Sequence, residues 1–201
     1  MNSFPSVNNA LRYKTIKRAF DLALGMLLLS VLAPLMIPIA ITIRWTSPGP
    51  AIYWSWRVGA CNRWFRMPKF RTMHQGTPSV ATHLMRDPER FVTPIGRFLR
   101  KTSLDELPQL ISVINGNMSF VGPRPALFNQ DDLVALRTEK GVHRLVPGIT
   151  GWAQINGRDE LPIPAKVELD DFYLRHCSFA LDVKILSMTV FSVAGSKGIT
   201  H

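Results

Sequence analysis

Cysteine is nearly absent. Cys61 and Cys177 are the only two in 201 residues, far apart and in no metal-ligand spacing, which excludes a disulfide-stapled scaffold and a cysteine zinc site and leaves a reducing compartment as the expectation. Acid is scarce as well: 14 Asp and Glu stand against 24 Lys and Arg, for a formal charge of +10. Such a balance calls for a polyanionic partner, whether nucleic acid, an anionic membrane surface or a phosphorylated metabolite. The five histidines form no HExxH or other close pair, and neither a Walker loop nor GxGxxG is present, so the signatures of zinc proteases, P-loop enzymes and dinucleotide-binding folds are missing. No internal repeat or low-complexity tract interrupts the chain. The length suits one domain with attachments.

What the chain does have is a long apolar run. Leu22 to Ile43 holds no charged residue, and 22 helical positions reach roughly 33 Å, the thickness of a hydrocarbon core. The run is long for the core of a cleaved signal peptide, and no small-x-small site follows it. Pro34 and Pro38 fall in its middle; each lacks an N–H, which frees the carbonyls of Ser30 and Pro34 and bends a helix. Basic residues flank both ends, with Arg12, Lys14, Lys17 and Arg18 before and Arg44, Arg57, Arg63 and Arg66 after. A straight span would strand one basic cluster on the wrong side, whereas a helix that bends at Pro34 and returns keeps both together. Both topologies stay open on the residues alone.

Beyond the run, the "TSPGP" turn leads to an aromatic stretch with Tyr53, Trp54 and Trp56, a strand or an interfacial belt, and "RWFRMPKFRTM" reads as a second strand ending near Met73. Residues 74–90 read as a loop with a short helix. "TPIGRFLRKTS" predicts an amphipathic helix with Ile95, Phe98 and Leu99 on one side. "LDELPQLISVING" is a helix closed by Asn115 and Gly116, "SFVGPRP" a rigid extended segment, and "DDLVALRTEKG" a helix stopped at Gly141. "VPGITGWAQINGR" reads as turns, followed by the helices "PAKVELDDFYLRH" and "FALDVKILSMTVFSVAG". The last helix lies either on a membrane surface or in the core.

The sharpest question is the pair Asp105–Glu106. Ser103 with Glu106 three residues later is a capping-box pattern, and acids in a first turn suit the helix dipole. The same pair also keeps cationic company: Lys69 and Arg71 in "PKFRTM", Arg97 and Arg100 upstream, Arg124 between Pro123 and Pro125, and Arg158 in "NGR". Guanidinium groups bind phosphate oxygens. A carboxylate held ionised among them has the chemistry of a nucleophile on phosphorus, with a divalent cation to offset the charge. Mg²⁺, which binds through one or two carboxylates plus substrate phosphates, suits so small an acidic cluster.

Taken in order over roughly residues 12–190, "KFRTM", "LDELPQL", "NGNMSFVGPRP", "PGITGWAQINGR" and "ELDDFY" with "LDVKI" resemble the bacterial sugar transferases, the monotopic phosphoglycosyl transferases of the small single-domain type. The resemblance implies an α+β, mostly helical, monotopic membrane protein. Residues 1–46 would form a basic lead-in and a re-entrant membrane helix broken at Pro34, and residues 47–201 a cytoplasmic catalytic domain with interfacial amphipathic helices. The serine that precedes the break in the family is Ala33 here. The implied reaction moves a sugar-1-phosphate, of an N-acetylated amino or diacetamido sugar, from a UDP-sugar to undecaprenyl phosphate, releasing UMP, at the cytoplasmic face of the bacterial inner membrane. It opens the synthesis of an O-antigen, capsule, exopolysaccharide or protein glycan.

Asp105 would carry the covalent phosphosugar, with Glu106 as its partner in a site for Mg²⁺ or Mn²⁺. Lys69, Arg100 and Arg124 fall on positions tied to the phosphates, Arg71 joins them, and Arg158 would meet the nucleotide. Asp170 and Asp182 fall on supporting acidic positions. Partners would be the two substrates, inner-membrane lipids and downstream glycosyltransferases, without nucleic acid and with a homodimer left open. The rival reading is a non-catalytic, membrane-tethered basic domain that grips anionic lipid or nucleic acid.

Overall fold

In the computed structural model, residues 7–77, 87–157 and 161–195 are described. Helix α1 (Val7–Thr46) takes in the apolar run and stays helical through Pro34 and Pro38. From Leu11 to Thr46 it is long and apolar enough to cross a membrane, the one such helix among the described residues. The hydroxyls near the prolines bond one turn back, Ser30 Oγ to the Met26 carbonyl at 2.9 Å and Thr42 Oγ1 to that of Pro38 at 2.8 Å. Neither serves the two carbonyls that the prolines deprive of an N–H.

The remaining elements are mostly helical. Strands β1 (Ile52–Val58) and β2 (Trp64–Phe70) pair antiparallel, and β4 (Ala126–Leu127) adds to the other edge of β1. Strand β3 (Ser119–Val121) pairs in parallel with β5 (Gly148–Thr150). The helices are α2 (Pro94–Lys101), α3 (Leu110–Ile114), α4 (Asp131–Glu139), α5 (Trp152–Gly157), α6 (Ile163–His176) and α7 (Phe179–Gly195). A 3₁₀ segment, Leu104–Gln109, runs directly into α3. Thr93 caps α2, its hydroxyl accepting from the Gly96 amide at 3.0 Å.

Two apolar clusters tie α1 to this body. In the larger, Phe65, Met67, Val113, Met118, Phe120 and Ile185 pack with Leu24, Leu28, Leu29 and Leu32 of α1. In the smaller, Phe70 and Leu99 enclose Ile43, with Met36, Ile39 and Ala40 alongside. Steps of three and four residues along α1 thus present one stripe to the protein. The opposite stripe, Met26, Leu27, Val31, Leu35, Ile37 and Ile41, is exposed. Polar pins fix the first half: Arg18 donates to the last carbonyls of α3, Val113 at 2.7 Å and Ile114 at 2.6 Å, and Asp21 accepts the Phe120 amide. Arg18 thereby closes the carboxyl end of α3, the helix that continues from the segment carrying the acidic pair.

Three readings of the sequence change. Within "VPGITGWAQING", Gly148–Thr150 is a strand and Trp152–Gly157 a helix rather than turns, because the partner of β5 is β3, some thirty residues away and invisible to local turn chemistry. In α2 Leu99 is buried but Phe98 is exposed; successive helical positions diverge by about 100°. Helix α7 has one face in the core, burying Ile185 and Asp182, while Val183, Val190 and Phe191 on its other side are exposed. In the 74–90 loop a short 3₁₀ turn is present at Pro88–Arg90, and residues 78–86 lie outside the described ones.

Candidate active site

The site is built where the end of β2 meets the 3₁₀ segment. Ser103 enters that segment in the left-handed region, φ 55°, and its hydroxyl makes no cap bond. The capping box is therefore not formed. The Glu106 carboxylate turns instead to β2, accepting from Lys69 Nζ at 2.7 Å. Arg124 Nη2 stands 3.7 Å from the same oxygen, Oε1. Lys69 Nζ lies 4.0 Å from Asp105 Oδ2, and Arg100, anchored by its Nε donating to Thr72 Oγ1 at 3.1 Å, adds a second cationic field at Asp105.

The two neighbouring carboxyls are tuned in opposite directions. Burial raises the pKa of Asp105, which is 8% exposed; Lys69 pulls it back down, Glu106 pushes it up, and the net shift is upward. Burial also opposes the Glu106 carboxylate, but Lys69 and then Arg124 outweigh it and hold that group at about 2. Glu106 is thus a fixed anion that gathers the cations, and Asp105 the less stabilised and more basic carboxylate. Adjacent acids driven apart in pKa are the pattern of divided roles at a reaction centre.

Arg124 is held by its backbone. Pro123 and Pro125 offer no N–H, so the segment is secured through three successive carbonyls: Pro123 by the Gly148 amide at 2.9 Å, Arg124 by Arg137 Nη1 at 2.8 Å, and Pro125 by Arg57 Nη1 at 3.2 Å. Arg57, Lys69, Glu106, Gln109 and Arg124 line one cleft with Gly148 and Ile149. Arg57 and Gln109 were not among the residues expected from the sequence. In the sequence Arg57 reads as one of the charges flanking the apolar run, and its alternation along β1 is the signal that places it.

Three expected residues sit elsewhere. Asp170, 2% exposed, receives Arg137 Nη2 at 2.6 Å and Nε at 3.0 Å, so it acts on the site only through the Arg137 bond to the Arg124 carbonyl. Asp182 is taken by Tyr13 at 2.9 Å, Lys17 at 2.8 Å and Tyr173 at 2.6 Å, and it fastens α1 to α6 and α7. Arg71 turns away to the end of α1, donating from Nη2 to the Ser47 carbonyl at 2.7 Å. Arg97 pairs on the surface with Glu89. Arg158 lies outside the described residues.

Among the described residues no group of three or more His, Cys, Asp or Glu could hold a metal ion. The pair Asp105 and Glu106 still fits a magnesium ion that arrives with a diphosphate, since such an ion takes only one or two protein carboxylates and Lys69 and Arg124 face a single oxygen of Glu106.

Residues 12–196 match the bacterial sugar transferase family, and the chain belongs to it. It is 42% identical over 186 residues to the uncharacterized sugar transferase EpsL of Bacillus subtilis (strain 168), covering 92% of this chain and 90% of that protein. It is 40% identical to the UDP-glucose:undecaprenyl-phosphate glucose-1-phosphate transferase of Escherichia coli (strain K12), covering 89% of this chain and 40% of the relative. It is 35% identical to the UDP-N-acetylgalactosamine-undecaprenyl-phosphate N-acetylgalactosaminephosphotransferase of Aeromonas hydrophila, covering 90% and 44%. The chain thus spans under half the length of the two relatives named for a reaction.

Proposed function

We propose that the protein transfers a sugar-1-phosphate from a UDP-sugar to undecaprenyl phosphate in two displacements at Asp105. The observation that carries this reading is the division of labour in the acidic pair, with Glu106 neutralised by Lys69 and Arg124 and its neighbour left basic. In the first displacement an Asp105 oxygen attacks the sugar-bearing phosphorus; an acyl phosphate bond forms, the diphosphate bridge breaks, and UMP leaves with the bridging oxygen. In the second, the lipid phosphate oxygen attacks the same phosphorus and the Asp105 carboxylate is released unchanged. Lys69, Arg100 and Arg124 orient the phosphates and offset their charge. A magnesium ion held by Asp105 and Glu106 would supply further neutralisation between carboxylate and diphosphate.

The membrane part of the proposal rests on α1. Its first half is pinned through Arg18 and Asp21 and its second half through Ile43, all to the same body. A straight crossing would separate those anchors across the bilayer, so a re-entrant helix turning near Pro34, on the cytoplasmic face of the inner membrane, accounts for both. Residues 47–201 then form the catalytic domain, with the acidic pair on a segment whose Leu104 and Leu107 pack against the cluster that holds Ile43 of α1. An amino or diacetamido sugar remains the proposed cargo, for a surface or protein glycan completed by downstream glycosyltransferases. The test is UMP release from a panel of UDP-sugars with magnesium, with and without undecaprenyl phosphate. One donor should release UMP close to the enzyme concentration without acceptor and many turnovers with it; no release from any donor would leave only the binding-domain reading.

A further inference from the structure

Arg71 is buried, 6% exposed, yet only one of its three nitrogens has a protein partner. Its Nε and Nη1 have none among the described residues, and neither does the hydroxyl of Ser47, itself 3% exposed. Unpaired buried donors are rare enough in folded proteins to require a cause. Helix capping explains Nη2, which closes the Ser47 carbonyl at the end of α1. It does not explain the rest.

The surroundings select the sign of the missing partner. Arg44 lies close enough for its charge to act on Arg71 in the same unfavourable sense as burial does, so two cations are gathered with no carboxylate paired to either among the described residues. Gly49 sits against the Arg71 guanidinium at φ +107°, and a Cβ there would collide with both Arg71 Nη1 and Gln75 Nε2. Turning the Gln75 amide would bring one oxygen to this point and satisfy one nitrogen; a second nitrogen and the Ser47 hydroxyl would still lack an acceptor. Gln75 is itself exposed, so the group lying over this point is a rotatable side chain. A negatively charged acceptor with several oxygens can take Arg71 Nη1 on the Gly49 and Gln75 side with one oxygen and offer others to a neighbouring donor, and phosphate is the biological group of that description. Trp45, two residues from Ser47, is 86% exposed at the end of the apolar helix, where tryptophan marks the headgroup level of a membrane.

We infer that Arg71, Ser47 and Arg44 form a second anion site, separate from the Lys69–Glu106–Arg124 cluster, which takes a phosphate group at the headgroup plane. Anionic phospholipid, an isoprenoid phosphate and free phosphate share that chemistry. The site stands on its own geometry and does not depend on the catalytic reading.

The test uses the full chain in detergent. Native mass spectrometry reads retention of phosphatidylglycerol, phosphatidylcholine and farnesyl phosphate in separate titrations, and thermal shift reads inorganic phosphate. Arg71→Gln and Ser47→Ala should each weaken one phosphate carrier at least tenfold, and the carrier affected names the source. Acceptor-free UMP release should stay within twofold of the parent. Because Arg71→Gln also removes the cap on the Ser47 carbonyl and with it part of the fold's stability, Gln75→Glu is the second probe. It places a carboxylate beside the unpaired nitrogens, so it should raise the melting temperature while abolishing phosphate binding, a combination that a purely structural arginine would not give. Equal binding by parent and all three variants, or retention of zwitterionic lipid as tight as anionic, overturns the site.

Discussion

Replacing Arg137 by Met separates positioning from packing. Arg137 and Asp170 are 7% and 2% exposed and joined at 2.6 and 3.0 Å, while the remaining terminal nitrogen of Arg137 holds the Arg124 carbonyl at 2.8 Å. Removing one member of such a buried pair costs about 3–5 kcal/mol, because the other is left uncompensated. For a chain of this size that corresponds to a drop of roughly 6–20 °C in melting temperature. The sign with pH is fixed by Asp170, whose pKa is raised by burial even with Arg137 opposing it. Without Arg137 it rises further, so the loss of stability should deepen as pH increases through that value and shrink in acid. In Arg137→Met/Asp170→Leu the unpaired charge is gone, and most of the stability should return. The Arg124 carbonyl would still lack its donor, so donor turnover should remain depressed in the double variant. Thermal unfolding in detergent and acceptor-free UMP release on the same samples measure both. Full recovery of rate with stability would refute the positioning role; a melting temperature unmoved in the single variant would refute the energetics.

Asp105→Asn should abolish turnover and raise the melting temperature at neutral pH, since burial makes the ionised form costly in the fold; a destabilised variant contradicts this. UMP release should fall in acid as Asp105 takes a proton above the ordinary carboxyl range, whereas the stability contributed by Glu106, present above its ordinary 4.5, should disappear only as pH approaches about 2. That depression is worth roughly 3 kcal/mol. Lys69→Met removes its largest favourable cause and should move the acid unfolding limb to higher pH, which a pH titration of the circular dichroism would show. Leu99→Ala, at a fully buried position in the cluster that holds Ile43, should cost about 2–5 kcal/mol; a change below 1 kcal/mol in chemical denaturation counts against that cluster as the anchor of the membrane helix.

Much of the fold was legible because helices announce themselves locally. The span of α7 (Phe179–Gly195) and the stop of α4 before Gly141 at φ 77° follow from apolar spacing and a glycine in the left-handed region. The acidic pair was legible as a pair, but its local reading failed. Serine and glutamate at capping spacing lose to a lysine 37 positions earlier, because β2 delivers a charge and the 3₁₀ start leaves Ser103 unable to cap. Local sequence equally leaves the contacts of Asp170, Asp182 and Arg71 unread. All three are buried polar groups whose partners, Arg137, Lys17 with two tyrosines, and the Ser47 carbonyl, are brought to them by tertiary packing. Arg57 belongs with them: its backbone acceptor, the Pro125 carbonyl, lies 68 positions away.

The most direct measurement is peptide mass spectrometry of the wild-type chain after rapid quench of a reaction with its UDP-sugar and magnesium but no lipid acceptor. The peptide containing Asp105 should carry one sugar phosphate, matched by an equal amount of free UMP and cleared when undecaprenyl phosphate is added. An unmodified Asp105 in a sample that goes on to make lipid-linked product when the acceptor is supplied contradicts the two-displacement account.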